Sequence, residues 1–377
     1  MTKNKLKVLH VVGDPAGGIR KHIHDIFGGL QGEFDLYYVT SQFGDKIFYN
    51  ELPALMKLLS GYLPLNIVKR PAVTDVFNIF KIMKFIIKNK IDIIHGHGAK
   101  GGMYARIAGK LLGCKVVYTP HGGIVHDMFS PLESFIYRGV EKILCKFTDL
   151  IIFESKYTQK AFDKRICCKK VKQVTNYNGI TPPNLKAKEF HFDNTLKFGV
   201  FGMLREEKGP HLAYQVIKEL LDEQFNVELH FFGEGEMKDT LIENIHQDNL
   251  SGSIIIHGEV DNVNEKMLGM NFIVIPSLFE SFGYVAVEAM FLGKPVISSN
   301  VGGLVDVLGV DRGFIFEAGE IVSMKTTILA AINSSESDIQ QRINKAHAHV
   351  THCFTLQRMC EFLGAEYHTL THKEIKR

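Results

Sequence analysis

The chain has 377 residues, of which 45% are apolar and 23% charged, a globular composition that excludes disorder, collagen and coiled coil and, at about 150 residues per domain, favours two domains. The net charge of +3 hides an asymmetry: residues 1–185 carry 27 Lys and Arg against 14 Asp and Glu, and residues 186–377 carry 17 against 27. A basic first half fits either an anionic partner, such as a membrane surface, a phosphorylated lipid or nucleic acid, or attraction to the acidic half across a cleft.

Apolar strand-like runs alternate with helix-length segments. The first half reads KVLHVV (7–12), DLYYVT (35–40), LNIVKR (65–70), IDIIHG (91–96), KVVYTP (115–120), LIIFES (150–155) and KQVTNY (172–177). The second reads LKFGVFG (196–202), NVELHFF (226–232), SIIIHG (253–258), NFIVIP (271–276), PVISS (295–299) and GFIF (313–316). Strands apolar on both faces and separated by helices predict βαβ units in buried parallel sheets, enough for one doubly wound domain per half. The linker is expected near NGITPPNLKAKEFHFDN (178–194), which gives domains over 1–185 and 186–353. The segment 354–377 opens with a helical period and has no strand after it, so it is expected to cap a domain or to pack back across the hinge. Helix 75–90 is very apolar with Lys81, Lys84 and Lys88 on one stripe; burial against a sheet with its lysines in water is the favoured reading, and a membrane-surface helix the alternative.

No apolar run approaches the ~18 residues that span a bilayer, and the N-terminus enters a strand without a small-residue cleavage site. A cytoplasmic location is therefore expected. The six cysteines (Cys114, Cys145, Cys167, Cys168, Cys353 and Cys360) should then be reduced thiols.

Ligands of open parallel sheets bind beyond the carboxyl ends of the strands, so the loops there carry the chemistry. ESFGYVAVE follows strand 271–276 and puts Glu280 on a loop and Glu288 about one turn into the next helix. That helix opens near Phe282, Gly283 and Tyr284, where unpaired N–H groups and the positive dipole end suit a phosphate. Carboxylates on either side can accept hydrogen bonds from sugar and ribose hydroxyls. Gly302–Gly303 opens another helix, whose N–H groups are expected to face the same pocket. In GMLREEKGPH (202–211), Arg205 and Lys208 sit where two cations would neutralise a diphosphate. In the first half, Gly17 and Gly18 lead into a helix after the first strand, another anion-accepting terminus. His121 of TPHGG lies just past a strand end, able to bond a substrate hydroxyl or stabilise charge, although a loop histidine is more often structural.

Two patterns point elsewhere. Gly96, Gly98 and Gly101 spell GxGxxG, but the next strand ends without the acid that a dinucleotide site needs. His95-x-His97 suggests metal, but no third ligand is evident from the sequence, so no metal site and no cofactor are expected. No nucleic-acid module is recognisable.

Together these residues resemble the GT-B retaining glycosyltransferases of family 4, also called group 1 glycosyltransferases. The resemblance runs through GGI (17–19), TPHGG (119–123), TDLIIFESKYT (148–158), NGI (178–180), GMLREEKG (202–209), FFGEGE (231–236) and ESFGYVAVEAMFLGKPVISSNVGGLVDV (280–307). It implies two Rossmann-like domains facing across a cleft, a nucleotide-sugar donor held by the second and an acceptor held by the first. It implies Glu280 on donor-sugar hydroxyls, Glu288 on the ribose, and Arg205 and Lys208 on the diphosphate. His121 would stand near the reacting carbon. Backbone N–H groups of Phe282 to Tyr284 would complete the phosphate site, with Gly17 and Gly18 flanking donor phosphate and acceptor. Met203 stands where the family usually has Arg, and Asp306 where it usually has Glu. The expected function is sugar transfer from a UDP-sugar, with GDP as the second choice. The acceptor is a lipid-linked or saccharide intermediate of bacterial surface-polysaccharide or lipopolysaccharide assembly, with peripheral contact at the inner face of the membrane. The competing readings are a sugar-nucleotide epimerase or phosphorylase, or a non-catalytic nucleotide-sugar-binding subunit.

Overall fold

The structure is a computed structural model; it describes residues 5–68, 70–122, 130–166, 168, 170–185 and 189–372. Gly123 of TPHGG, Cys167 and the end of segment 354–377 lie outside the described residues. The chain divides into two compact units, Met1–Gly179 with Leu356–Arg377, and Ile180–Thr355.

The first unit is a seven-stranded sheet of β1 (Lys7–Val12), β2 (Asp35–Ser41), β3 (Gly61–Leu65), β4 (Ile93–His97), β5 (Lys115–Thr119), β6 (Leu150–Phe153) and β7 (Lys172–Thr175). Their order is β3-β2-β1-β4-β5-β6-β7, all parallel. Helices α1 (Gly17–Leu30), α2 (Lys46–Met56), α3 (Thr74–Asn89), α4 (Gly98–Leu112), α5 (Pro131–Cys145) and α6 (Lys156–Ile166) make the crossovers. The order reverses between β1 and β4, the switch point at which such sheets open a ligand crevice.

The second unit is a six-stranded parallel sheet of β8 (Leu196–Phe201), β9 (Val227–Phe232), β10 (Ile254–Gly258), β11 (Phe272–Ile275), β12 (Val296–Ser299) and β13 (Phe314–Phe316), in the order β10-β9-β8-β11-β12-β13. Its helices are α7 (Pro210–Asp222), α8 (Lys238–Gln247), α9 (Val263–Leu268), α10 (Tyr284–Phe291), α11 (Gly303–Leu308), α12 (Ile321–Ile332) and α13 (Glu336–Cys353). Here β8 and β11 flank the switch point. The last helix, α14 (Leu356–His372), packs on α1 and buries Met359, Cys360, Leu363 and Tyr367 in the core of the first unit.

Three expectations need correction. The third strand is Gly61–Leu65, not 65–70. It is a sheet edge carrying Pro64, a residue tolerated at an edge because the missing N–H need not meet a partner strand. Cys145 and Cys168 are joined in a disulfide, so not every thiol is free; Cys145 ends α5 and Cys168 follows α6, which pack together. Finally, α3 is not buried with only its lysines in water. It buries Asp75, Asn78, Ile82 and Ile86 and leaves Val76, Phe77, Phe80 and Ile87 exposed.

The GxGxxG glycines also find their reason. Gly101 lies at the start of α4, directly over the end of β1, where a Cβ would collide with the Val11 carbonyl oxygen. Gly102 lies against the Tyr118 ring in the same way. The spacing serves helix-on-strand packing.

Candidate functional site

In the second unit two loops at the switch point are tied together. The Leu278 N–H donates to the Glu207 carbonyl at 2.9 Å and the Phe279 N–H to the same oxygen at 3.2 Å. Gly209, at φ +64°, lets the first loop pass over the Pro276 carbonyl, where a Cβ would not fit. This tie brings Lys208 to Glu280: Nζ donates to Oε2 at 2.7 Å, both side chains being half-buried. The other carboxylate oxygen of Glu280 accepts from the Ser281 N–H at 3.1 Å. The lysine and the glutamate expected at the diphosphate and the sugar are thus neighbours across 72 residues of chain.

Gly283 caps α10 at φ +105°, and a Cβ there would press on Leu304. Phe282 is buried, whereas Tyr284 and Glu288 are half-buried, the latter about one turn into the helix. No side chain caps α10, and its Ala286 and Val287 N–H groups donate to the Gly283 carbonyl at 3.1 and 3.2 Å. The start of α11 differs from expectation: the Gly303 N–H is used by the Glu280 carbonyl at 3.1 Å and the Leu304 N–H by Val301 at 3.1 Å. The first holds the Glu280 loop in place and the second closes a local turn, so neither is free for a ligand. Arg205 does not share the Lys208 setting. Its side chain is 41% exposed and its ion pair with Glu207 is long, 3.9 Å.

The first unit brings together a set of groups that sequence reading only glimpsed. Histidines at the carboxyl ends of β1 and β4, on α1 and in the loop after β5 converge. His121, at φ +52°, is turned inward. Its Nδ1 meets Glu154 Oε2 at 2.8 Å and its Nε2 meets His97 Nδ1 at 3.1 Å. His97 Nε2 meets His10 Nδ1 at 3.0 Å. With Glu154 ionised, one neutral assignment satisfies the row: each Nδ1–H donates and each Nε2 accepts, from Glu154 through His121 and His97 to His10. His95 completes the layer, its ring between the Tyr367 hydroxyl at 2.7 Å and Thr119 Oγ1 at 2.9 Å. Burial lowers the pKa of His10 to about 3 and holds His22, His95 and His97 well below the usual imidazole value, helped in those three by neighbouring imidazoles.

Both ring nitrogens of His121 are engaged inside the unit. The missing third metal ligand is corrected: nitrogens of His10, His95 and His97, and separately of His22, His97 and His121, lie within 4.8 Å of one another. These are the residues that could hold a transition metal. A metal there would have to displace the hydrogen bonds just described. Sequence reasoning missed Glu154, His10 and His22, although a histidine inside the apolar run KVLHVV was a visible signal.

Beside this layer, at the β1/β4 switch point, a cavity of about 460 Å³ is lined by Asp14, Ile19, Phe43, His97 and Lys100 among others. Gly17, at φ +55°, opens α1 next to it without a side-chain cap, and Gly18 is exposed. The cavity is mostly apolar, with Ile67 and Val68 in its wall, and Lys100 is held by Asp75 at 2.5 Å.

Comparison with known proteins agrees with this fold. Residues 16–182 match the family model described as Glycosyltransferase Family 4, and residues 183–349 the model described as Glycosyl transferases group 1. The chain is 29% identical over 332 residues to an uncharacterized glycosyltransferase of Methanocaldococcus jannaschii, covering 85% of this chain and 86% of that one. It is 24% identical over 363 residues to the UDP-Gal:alpha-D-GlcNAc-diphosphoundecaprenol alpha-1,3-galactosyltransferase of Escherichia coli, covering 90% and 92%. The crystal structure of Anabaena HepE in complex with UDP superposes with a TM-score of 0.77 at 20% identity, covering 97% of this chain and 100% of that one, a likeness of fold. The chain belongs to the group 1, family 4 glycosyltransferases and has their GT-B fold of two Rossmann-like units.

Proposed function

We propose that this glycosyltransferase retains anomeric configuration and moves a sugar from a UDP-sugar to a lipid-linked saccharide in the assembly of a bacterial surface polysaccharide or lipopolysaccharide, in peripheral contact with an anionic membrane. The observation that carries the reading is the Lys208–Glu280 pair beside the uncapped start of α10. Breaking the bond from sugar to diphosphate builds negative charge on the leaving group. Lys208 and the backbone N–H groups of Phe282 to Tyr284, where α10 opens, are suited to stabilise that charge, with Arg205 as an outer cation. Glu280 is suited to read donor-sugar hydroxyls and Glu288 the ribose. In this reading the acceptor oxygen attacks from the face the diphosphate leaves, and the departing phosphate oxygen takes the acceptor's proton. Neither a protein nucleophile nor a bound metal enters the scheme.

The first-unit cavity suits the acceptor, with apolar Ile19 and Phe43 against a saccharide face and Asp14 and Lys100 for its hydroxyls or phosphate. Gly17 and Gly18 leave the start of α1 open toward that ligand. His121 acts through its fixed orientation, set by Glu154 and His97. UDP is favoured over GDP by the names of two similar proteins, one a UDP-galactose enzyme and one a UDP complex. The diphosphoundecaprenol in the former name favours a lipid-linked acceptor.

A thermal-shift panel of nucleotide-sugars tests the donor, because a ligand that binds the native state raises Tm with its concentration. UDP-sugars should raise it and GDP-sugars should not; a shift with GDP-sugars alone overturns the donor assignment. Incubation with a diphosphoundecaprenol-linked saccharide should then give an α-linked product from an α-linked donor. Donor conversion without acceptor would replace this reading with the epimerase.

A further inference from the structure

The outer helix layer of the first unit is more apolar than a solvated surface requires. In α3 the exposed Val76, Phe77, Phe80 and Ile87 fall on one arc of roughly 100°, taking ~100° per residue. Lys84, Lys88 and Lys81 continue that arc, opposite the buried Asn78, Ile82 and Ile86. In α5 the exposed Leu132, Phe135, Ile136 and Ile143 form a similar stripe, bordered by Arg138, Lys142 and Lys146. These eight apolar side chains are between 51% and 75% exposed. The two helices flank α4, which packs against both, so the stripes lie on one layer of the unit. Between them, on α4, Leu111 and Lys110 are also exposed.

Two of the three carboxylates of these helices are drawn away from that surface. Asp75 is buried and bound to Lys100 and to Tyr104. Glu141 is buried and bound to Arg106. Glu133 is held in the N-terminal capping box of α5 with Ser130. Apart from Glu133, which is exposed but tied to Ser130, what faces outward is lysine, arginine and large apolar groups. Apolar patches of this extent on a soluble unit mark contact sites, and a cationic border around an amphipathic helix complements anionic lipid. No helix among the described residues is long and apolar enough to cross a membrane, so such contact would be parallel to the surface.

We propose that the outward faces of α3 and α5 dock the protein onto an anionic lipid bilayer, with Phe77, Phe80, Phe135 and Ile136 entering the headgroup boundary and the bordering lysines meeting lipid phosphates. The charge complementarity selects lipid over a second copy of this chain, since two such faces would bring like charges together. The proposal gives the membrane contact of the functional reading a surface, and its test uses neither donor nor acceptor, so either can fail without the other.

The chain has no tryptophan, so Phe135→Trp supplies a single reporter at the centre of the face. Its emission should shift to the blue with phosphatidylglycerol vesicles and stay unchanged with phosphatidylcholine vesicles. Cosedimentation of the unaltered chain with the same vesicles should show the same preference and weaken with salt. Phe80→Ser with Phe135→Ser, and separately Lys84→Glu with Lys142→Glu, should each lower vesicle affinity at least tenfold while circular dichroism stays unchanged. Val310→Ser, at an exposed apolar residue of the second unit, should have no effect. Equal response to both lipids, an unmoved reporter, or wild-type binding by both double variants overturns the proposal. So does concentration-dependent self-association, lost in the same variants, without vesicle binding.

Discussion

The two units place charge at their strand ends in opposite ways. The first unit buries its polar groups and neutralises them. Arg106 is fully enclosed, its guanidinium gripping Glu141 at 2.5 and 3.0 Å and stacked 3.8 Å from the Tyr118 ring centre. Burial holds the pKa values of His10, His22, His95 and His97 low. The second unit leaves Lys208 and Glu280 half-buried. A locked charge holds elements together, whereas a charge with remaining access can exchange its partner for a ligand. The same βα architecture thus yields a rigid polar core in one unit and a site able to take a diphosphate in the other.

The largest expected effect breaks the locked side. Glu141→Ala strands Arg106 without its partner in the interior and should cost about 3–5 kcal/mol in urea denaturation. UDP affinity should not change, because the site proposed for UDP is built within the other unit. A loss under ~1 kcal/mol would mean that Arg106 escapes to water and that the contrast is false. On the accessible side, Lys208→Ala should lower kcat/KM by about 10²–10³-fold, the usual loss when one stabilising donor to a developing anion is removed, with the fold intact by circular dichroism. A change below tenfold would remove Lys208 from the chemistry.

Acid sharpens the comparison further. The folded pKa of His10, about 3, lies below its ordinary 6.5, so the unfolded chain binds the proton first as pH falls. Its contribution to stability is complete above pH 6.5 and is lost as pH drops from there toward 3, at about 1.4 kcal/mol per pH unit. His22, His95 and His97 act in the same direction. Chemical denaturation between pH 6.5 and 5 should show this slope, and His10→Leu should remove one histidine's share of it. An unaltered slope would mean that His10 is not the group titrating. The smallest effect is expected at Arg205, whose exposed pair with Glu207 is of the kind worth about 0–1 kcal/mol. Arg205→Ala should cost no more than about fivefold in kcat/KM; a loss equal to that of Lys208→Ala would show that both cations grip the ligand.

Much of this was legible in the chain. Strands such as 7–12 and 150–155 announced themselves because buried parallel strands are apolar on both faces. The edge strand β3 did not, because one exposed side and Pro64 blur the pattern and Ile67 extends the apolar run past its end. In the site, Lys208 and Glu280 were visible as residues on loops after strands. That the Gly303 N–H is spent on holding the Glu280 loop was not, since hydrogen-bond partners outside helices and sheets leave no periodic trace. The Cys145–Cys168 pairing was hidden for the same reason: spacing does not say which side chains meet.

The sequence by itself determined the alternation of strand and helix, the glycine-bearing loops at the strand ends and the surplus of cations in the first half. These are local or additive properties, written in hydrophobic period, turn chemistry and charge count. Tertiary structure decided which side chains share a place. The parallel register sets His10 beside His95 and Val12 beside His97, and period-two alternation then turns His10, His95 and His97 to one face. Only that register, fixed by packing between segments some 85 residues apart, brings the imidazoles within hydrogen-bond reach of one another. Likewise, only the folded surface shows that Asp75 and Glu141 are drawn inward and Phe77, Phe80 and Phe135 left out.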